Sequence, residues 1–183
     1  FQCELVDKDI DILDKFKKLT HFEGKINEFK KERYVDIVGR KYHCTRSVEI
    51  QINNAKIVED LIKKGIKPEC KTYDATFNKD VPHEYMKDYV RGLIDGDGWV
   101  ASPQAKIFGL GITGTYDICL NVKNFINPSS KSNPHQLSEN CWAYSVSGKK
   151  AYDIASMLYE NSNIYLDRKY NNFMNAKQKY FTK

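Results

Sequence analysis

Little in this sequence is extreme, and what is missing narrows it. No apolar run among its 183 residues approaches the roughly 18–20 that a membrane-spanning helix needs, and no charged-then-apolar leader opens it. The five cysteines (Cys3, Cys44, Cys70, Cys119, Cys141) are odd in number, widely spaced and lack any CxxC. That excludes a secreted disulfide scaffold and reads as reduced thiols in an intracellular protein, in the cytoplasm or an organelle matrix. The histidines His21, His43, His83 and His135 form no ligand spacing, and nothing resembles a nucleophilic triad, a P-loop or a dinucleotide fingerprint. Charge of one sign is also scarce: 29 Lys+Arg against 24 Asp+Glu leave +5. So small an excess permits a polyanionic partner without demanding one. What is present is enough apolar material, 41%, to exclude general disorder. The length suits one ordinary domain or two small intimate halves.

The basic residues are unevenly placed. Between Lys25 and Glu49 stand Lys25, Lys30, Lys31, Arg33, Arg40, Lys41 and Arg46, against Glu28, Glu32, Asp36 and Glu49. Tyr34, Val35, Ile37, Val38, Tyr42 and Val48 favour strands, and Gly39 offers a turn, so the spacing predicts a basic β-ribbon. Such a ribbon can lie along a nucleic-acid groove, or it can be a solvated sheet face.

A weak internal repeat organises the chain. Phe1–Leu5 reads as a strand running into a helix whose Ile12, Leu13, Phe16 and Leu19 recur at helical spacing, and Phe108–Ile112 runs into TGTYDICLNVKNFI in the same way. Aligned without a gap, Phe1 matches Phe108, Leu5 matches Ile112, Leu13 matches Leu120 and Leu19 matches Ile126. Each copy continues with a turn-rich stretch, a strand (Val48–Ile52, Trp142–Val146) and a second helix. Lys71 and Lys169 then follow at nearly equal distances. NPSSKSNP (127–134) reads as a surface loop within the second copy.

Between the copies, residues 78–100 predict a helix with Asp80 as N-cap and Pro82 in its first turn. Met86, Tyr89, Val90, Leu93 and Ile94 fall on one stripe. Gly96 and Gly98 stop the helix, leaving Asp95 and Asp97 at its C-terminal end, where the helix dipole offers carboxylates nothing and a cation is wanted. Gly92 and Gly96, four apart, let a second helix approach closely.

The string Val90-Arg-Gly-Leu-Ile-Asp-Gly-Asp-Gly98 resembles the signature of the LAGLIDADG homing endonuclease family, matching it at Gly92, Leu93, Ile94, Asp95, Asp97 and Gly98. It departs at Val90, Arg91 and Gly96. The resemblance covers nearly the whole chain. It implies an α/β (α+β) fold of two pseudo-symmetric αββαββα halves whose antiparallel sheets form a DNA-binding saddle. The halves would be 1–78 and 79–183.

By the same resemblance Asp97 is a catalytic residue and metal ligand, Gly96 a carbonyl ligand, and Asp95 a structural residue that secures the helix end. Lys169, with Lys71 as its counterpart, would stand near the scissile phosphate. Lys30, Arg33, Arg40, Lys41, Arg46, Gln104, Lys106 and Lys131 would contact DNA, and Gly92 and Gly96 would form a helix interface. The implied activity is site-specific cleavage of both strands of duplex DNA with Mg²⁺ or Mn²⁺, leaving short 3′ overhangs. An intron-encoded or free-standing mobile element is the expected source. The alternative is a non-cleaving relative of the same fold, a transcription regulator or intron maturase. The first half is expected to lack its opening helix and strand. Upstream residues or a second chain would supply the missing motif helix and its acid, packed on Gly92, Tyr89, Val90 and Leu93.

Overall fold

The computed structural model describes residues 2–37, 40–64 and 74–181, with the backbone alone at 31–33, 35–37, 40–45 and 179–181. Lys71 lies outside the described residues. The fold is mixed α+β with two antiparallel sheets, and the chain divides into two compact units, Phe1–Lys63 and Lys64–Lys183. The boundary read from the sequence, 78/79, falls later. Residues 74–78 pack with the second unit: Phe77 is buried in its core, and Ala75 accepts a hydrogen bond from Thr115 Oγ1 at 2.7 Å. No helix among the described residues is long and apolar enough to cross a membrane.

In the first unit, β1 (Gln2–Val6) leads through a 3-10 turn into α1 (Ile10–Thr20), followed by β2 (Ile26–Ile37), β3 (Arg40–Gln51) and α2 (Ala55–Lys63). The sheet order is β1-β3-β2. Alternation decides the faces. Val48 and Ile50 of β3 point to one side and bury against Leu13 of α1, with Cys3, Leu5, Phe16 and Ile26 around them. Ser47 and Glu49 therefore occupy the side opposite α1, where both are nonetheless buried. The basic stretch forms the expected two strands, interrupted by a register shift between Lys30 and Arg33.

The second unit opens with α3 (His83–Asp97), which carries the motif, and continues with β4 (Gly98–Val100), β5 (Gly109–Gly114), α4 (Tyr116–Ile126), β6 (His135–Ser138), β7 (Cys141–Ser147), α5 (Gly148–Tyr159) and α6 (Asp167–Phe181). Its sheet order is β4-β5-β7-β6. Leu110, Ile112 and Tyr144 face the helices and join Val90, Ile94, Val122, Leu158 and Phe173 in one core.

Helix α3 departs from expectation at its start. Pro82, extended at φ −54° and ψ 144°, is itself the N-cap residue, and no side chain caps the helix. Asp80 sits outside, its N–H bonded to Asn78 Oδ1, because the proline fixes the extended residue that precedes the first turn. At the other end the helix passes through Gly96 and stops at Gly98. A Cβ there would meet the Gly111 carbonyl at 2.5 Å and the Ile94 carbonyl at 2.6 Å, so only glycine lets β4 turn directly out of the helix and join β5.

Candidate active site at the end of the motif helix

The residues of α3 divide by angle. Val90 and Ile94 are fully buried, and Met86, Tyr89 and Leu93 pack against the same core. Tyr89 is held further by an edge contact with Phe77 at 5.1 Å and by its hydroxyl, which accepts from the Asn78 N–H at 3.0 Å. Tyr89, Val90 and Leu93 thus belong to the core of the second unit, which corrects their expected place on a bare face. Gly92 and Gly96 lie about 200° around the helix from Val90 and Ile94. Both are exposed, and a Cβ on either would meet nothing within 4 Å.

Asp95 lies on the inward side of the last turn. Its Oδ1 accepts from the Tyr159 hydroxyl at 2.6 Å and its Oδ2 from the Leu166 N–H at 3.0 Å. Burial raises the pKa of this carboxyl, opposed by both hydrogen bonds and by the charges of Lys169 and Arg91. Burial and the Asp95 charge likewise push the Tyr159 phenol up, so Tyr159 remains a proton donor. Arg91, a departure from the signature, is 5% exposed. It donates to the Ile164 carbonyl at 2.8 Å, the Leu158 carbonyl at 3.1 Å and Ser162 Oγ at 2.8 Å, and it pairs with Asp88 at 2.6 Å. Together Asp95 and Arg91 tie the turn between α5 and α6 to α3.

That turn delivers Lys169. The side chain is 2% exposed, and its ammonium donates to the carbonyls of Ile94 at 2.7 Å, Asp95 at 2.7 Å and Gly98 at 2.5 Å. A cation at a helix C-terminus completes the carbonyls that the helix leaves unpaired and meets the negative end of the dipole. The lysine singled out by the repeat therefore satisfies the C-terminal carbonyls of the motif helix.

Asp97 is the last residue of the helix. The residue is exposed, and among the described residues no hydrogen bond or ion pair engages its carboxylate. Its backbone carbonyl is fixed by Thr113 Oγ1 at 2.8 Å. Partial burial raises its pKa, and Lys169 beneath it acts in the opposite direction. Gly96 falls in sequence between Asp95 and Gly98, whose carbonyls Lys169 engages. No group of three or more His, Cys, Asp or Glu that could hold a metal occurs among the described residues. Mg²⁺ is commonly held by one or two carboxylates with waters and substrate phosphates, so an exposed Asp97 suits it as one such ligand.

The basic candidates are dispersed. Lys30 and Arg46 pair across β2 and β3 and are both exposed. Alternation from Val48 along β3 puts them on the α1 side of the sheet. Arg33 pairs with Cys44, Lys41 with Asp36 and Arg40 with Ile37; their side chains lie outside the described part. Gln104 and Lys106 are exposed in the β4–β5 connection, and Lys131 in the loop after α4. Trp99, which sequence reasoning missed, is 42% exposed. Its ring lies over β5, where a Cβ at Gly109 would meet it at 3.1 Å and one at Gly111 at 2.8 Å. The spacing Gly-Leu-Gly is the sequence signal for that flat aromatic. No protein-family model matches the chain, and no curated protein matches it either.

Proposed function

We propose that this protein is a metal-dependent, site-specific DNA endonuclease of the LAGLIDADG type, with Asp97 as the carboxylate that holds the metal. The observation that carries the reading is the division of labour between two aspartates in one turn. Asp95 is saturated by Tyr159 and Leu166, while Asp97 is exposed and its carboxylate has no bonded partner among the described residues. When bound, Mg²⁺ or Mn²⁺ supplies charge neutralisation at the phosphodiester and activation of the attacking water. The chain's own residues prepare for this. Lys169 fixes the helix end and favours the ionised form of Asp97, and Thr113 pins the Asp97 backbone. The Gly96 carbonyl is a further candidate ligand.

One carboxylate is half of what a two-strand cut needs. The open Gly92–Gly96 face of α3 suits a second motif helix, which would bring the second acid beside Asp97. The proposed source is another segment or a second chain. Duplex DNA is the proposed substrate, with the exposed residues Lys30, Arg46, Gln104, Lys106 and Lys131 as its candidate contacts. The test is incubation of the protein with a randomised duplex library and Mg²⁺, with linear products as the readout. Selective binding of one sequence without cutting would favour the regulator or maturase reading instead.

A further inference from the structure

The chain has two tryptophans, and the fold treats them differently. Trp142 packs against the core of the second unit and meets the Tyr116 ring edge-on at 4.9 Å. Trp99 is 42% exposed. Its indole runs along β5, with Nε1 over Gly111 and the far ring edge, Cζ3 and Cη2, over Gly109; a Cβ on these glycines would meet it at 2.8 and 3.1 Å. Glycine inside a strand weakens it and marks a close approach, and here two of them make room for one ring.

Trp99 pairs with Gly111. By alternation it shares with Gly109, Gly111 and Thr113 the side of the sheet opposite the core-facing Leu110 and Ile112. Across from these on β7 stand Ser147, Ser145 and Ala143. None of the six carries a charge, so this stretch of sheet offers no ion pair to a phosphate and no bidentate fork to a base edge. The indole is the one large side chain it presents.

Position supplies the chemistry. Asp97 precedes Trp99 by two residues, and Thr113 holds the Asp97 carbonyl at 2.8 Å. Two extended residues span at most about 7 Å, roughly two rises of 3.4 Å per nucleotide. The base steps flanking a phosphate held at Asp97 are therefore within reach of the indole. An apolar side chain so placed acts by packing into a step that parts easily, and pyrimidine–purine steps part most easily.

We propose that Trp99 is a positioning residue that packs the exposed part of its indole against an opened pyrimidine–purine step of duplex DNA, within about two steps of the phosphate at Asp97. The proposal rests on the duplex-DNA part of the reading above, not on cutting. Discrimination at that step follows its deformability, and the contact adds nothing to the salt dependence of binding.

The test uses the full chain and the duplex retained from the library, without divalent metal so that the duplex stays intact. Trp99→Ala weakens binding by roughly tenfold with the slope of log affinity against log salt unchanged, and Trp99→Phe recovers most of the loss. Trp142→Phe leaves Trp99 as the sole indole, and the duplex quenches its emission. A 2-aminopurine at the opened step brightens with this variant. If Trp99→Ala misfolds, these two signals decide, since Trp142→Phe keeps Trp99 in place. A duplex that binds with Trp99 emission and Trp99→Ala affinity both unchanged overturns the proposal. So does a salt slope reduced by about one in Trp99→Ala, which marks a lost phosphate contact instead. A parent protein that retains no duplex at all fails at the DNA reading itself, and the proposal falls with it.

Discussion

On the inward side of α3, Asp95 commits both carboxylate oxygens to Tyr159 and Leu166, and Arg91 holds one acceptor in α5 and two on the turn that follows it. On the outward side Gly92 and Gly96 meet open space, and at the helix end the exposed Asp97 is fixed by its backbone but not by its carboxylate. The two aspartates share a motif, a charge and a helix end, and both are raised in pKa by burial. Hydrogen bonding separates them. Where partners saturate an acid it builds the fold; where they are withheld, the acid keeps the electron pairs a cation needs.

The comparison breaks most visibly on the inward side. Lys169→Met leaves the carbonyls of Ile94, Asp95 and Gly98 without their donor, and it should cost about 3–4 kcal/mol in urea-unfolding stability. Asp95→Ala orphans the Tyr159 hydroxyl and the Leu166 N–H, with an expected loss of about 2–3 kcal/mol by the same measurement. A loss below about 0.5 kcal/mol in either variant would mean that the inward network is decorative.

The outward side should respond with the opposite sign or not at all. Gly92→Ala fills open space on a helix, so thermal unfolding should show a gain of about 0.5–1 kcal/mol. The same methyl would impede a second helix, so cleavage should fall as stability rises. Asp97→Asn should leave stability within about 0.5 kcal/mol of the parent, since it removes no bond. The sign follows from the raised pKa. In the fold the ionised form is disfavoured, so any contribution of this group is present at low pH and lost as pH rises through the folded pKa. Neutralising it therefore does not lower Tm at neutral pH.

Much of this was legible in the sequence. The helical stripe of Val90 and Ile94 announced the core side of α3, and the motif resemblance, not the spacing, gave Asp95 a structural role. The partners of Asp95 were not legible, because Tyr159 lies 64 residues away and reaches it only through the packing of α5. Arg91 looked like a departure from the signature because the turn it clamps is distant in the chain. Spacing found Lys169 but not its capping role, since nothing local marks a lysine that will meet three carbonyls. The faces of Lys30 and Arg46 depend on register, and the shift between Lys30 and Arg33 defeats simple alternation. Asp80 misled because a good capping residue two positions upstream competes with a proline that fixes the boundary by itself.

The central claim, that Asp97 is the acid held back for chemistry, is tested most directly by pairing binding with cutting on one duplex library in the presence of Mg²⁺. The parent protein should retain a specific sequence and linearise it. Asp97→Asn should retain the same sequence with affinity within about tenfold, roughly 1.4 kcal/mol, and yield no linear product. If Asp97→Asn cuts as the parent does, or loses binding and cutting together, the exposed carboxylate is not the metal ligand and the account fails.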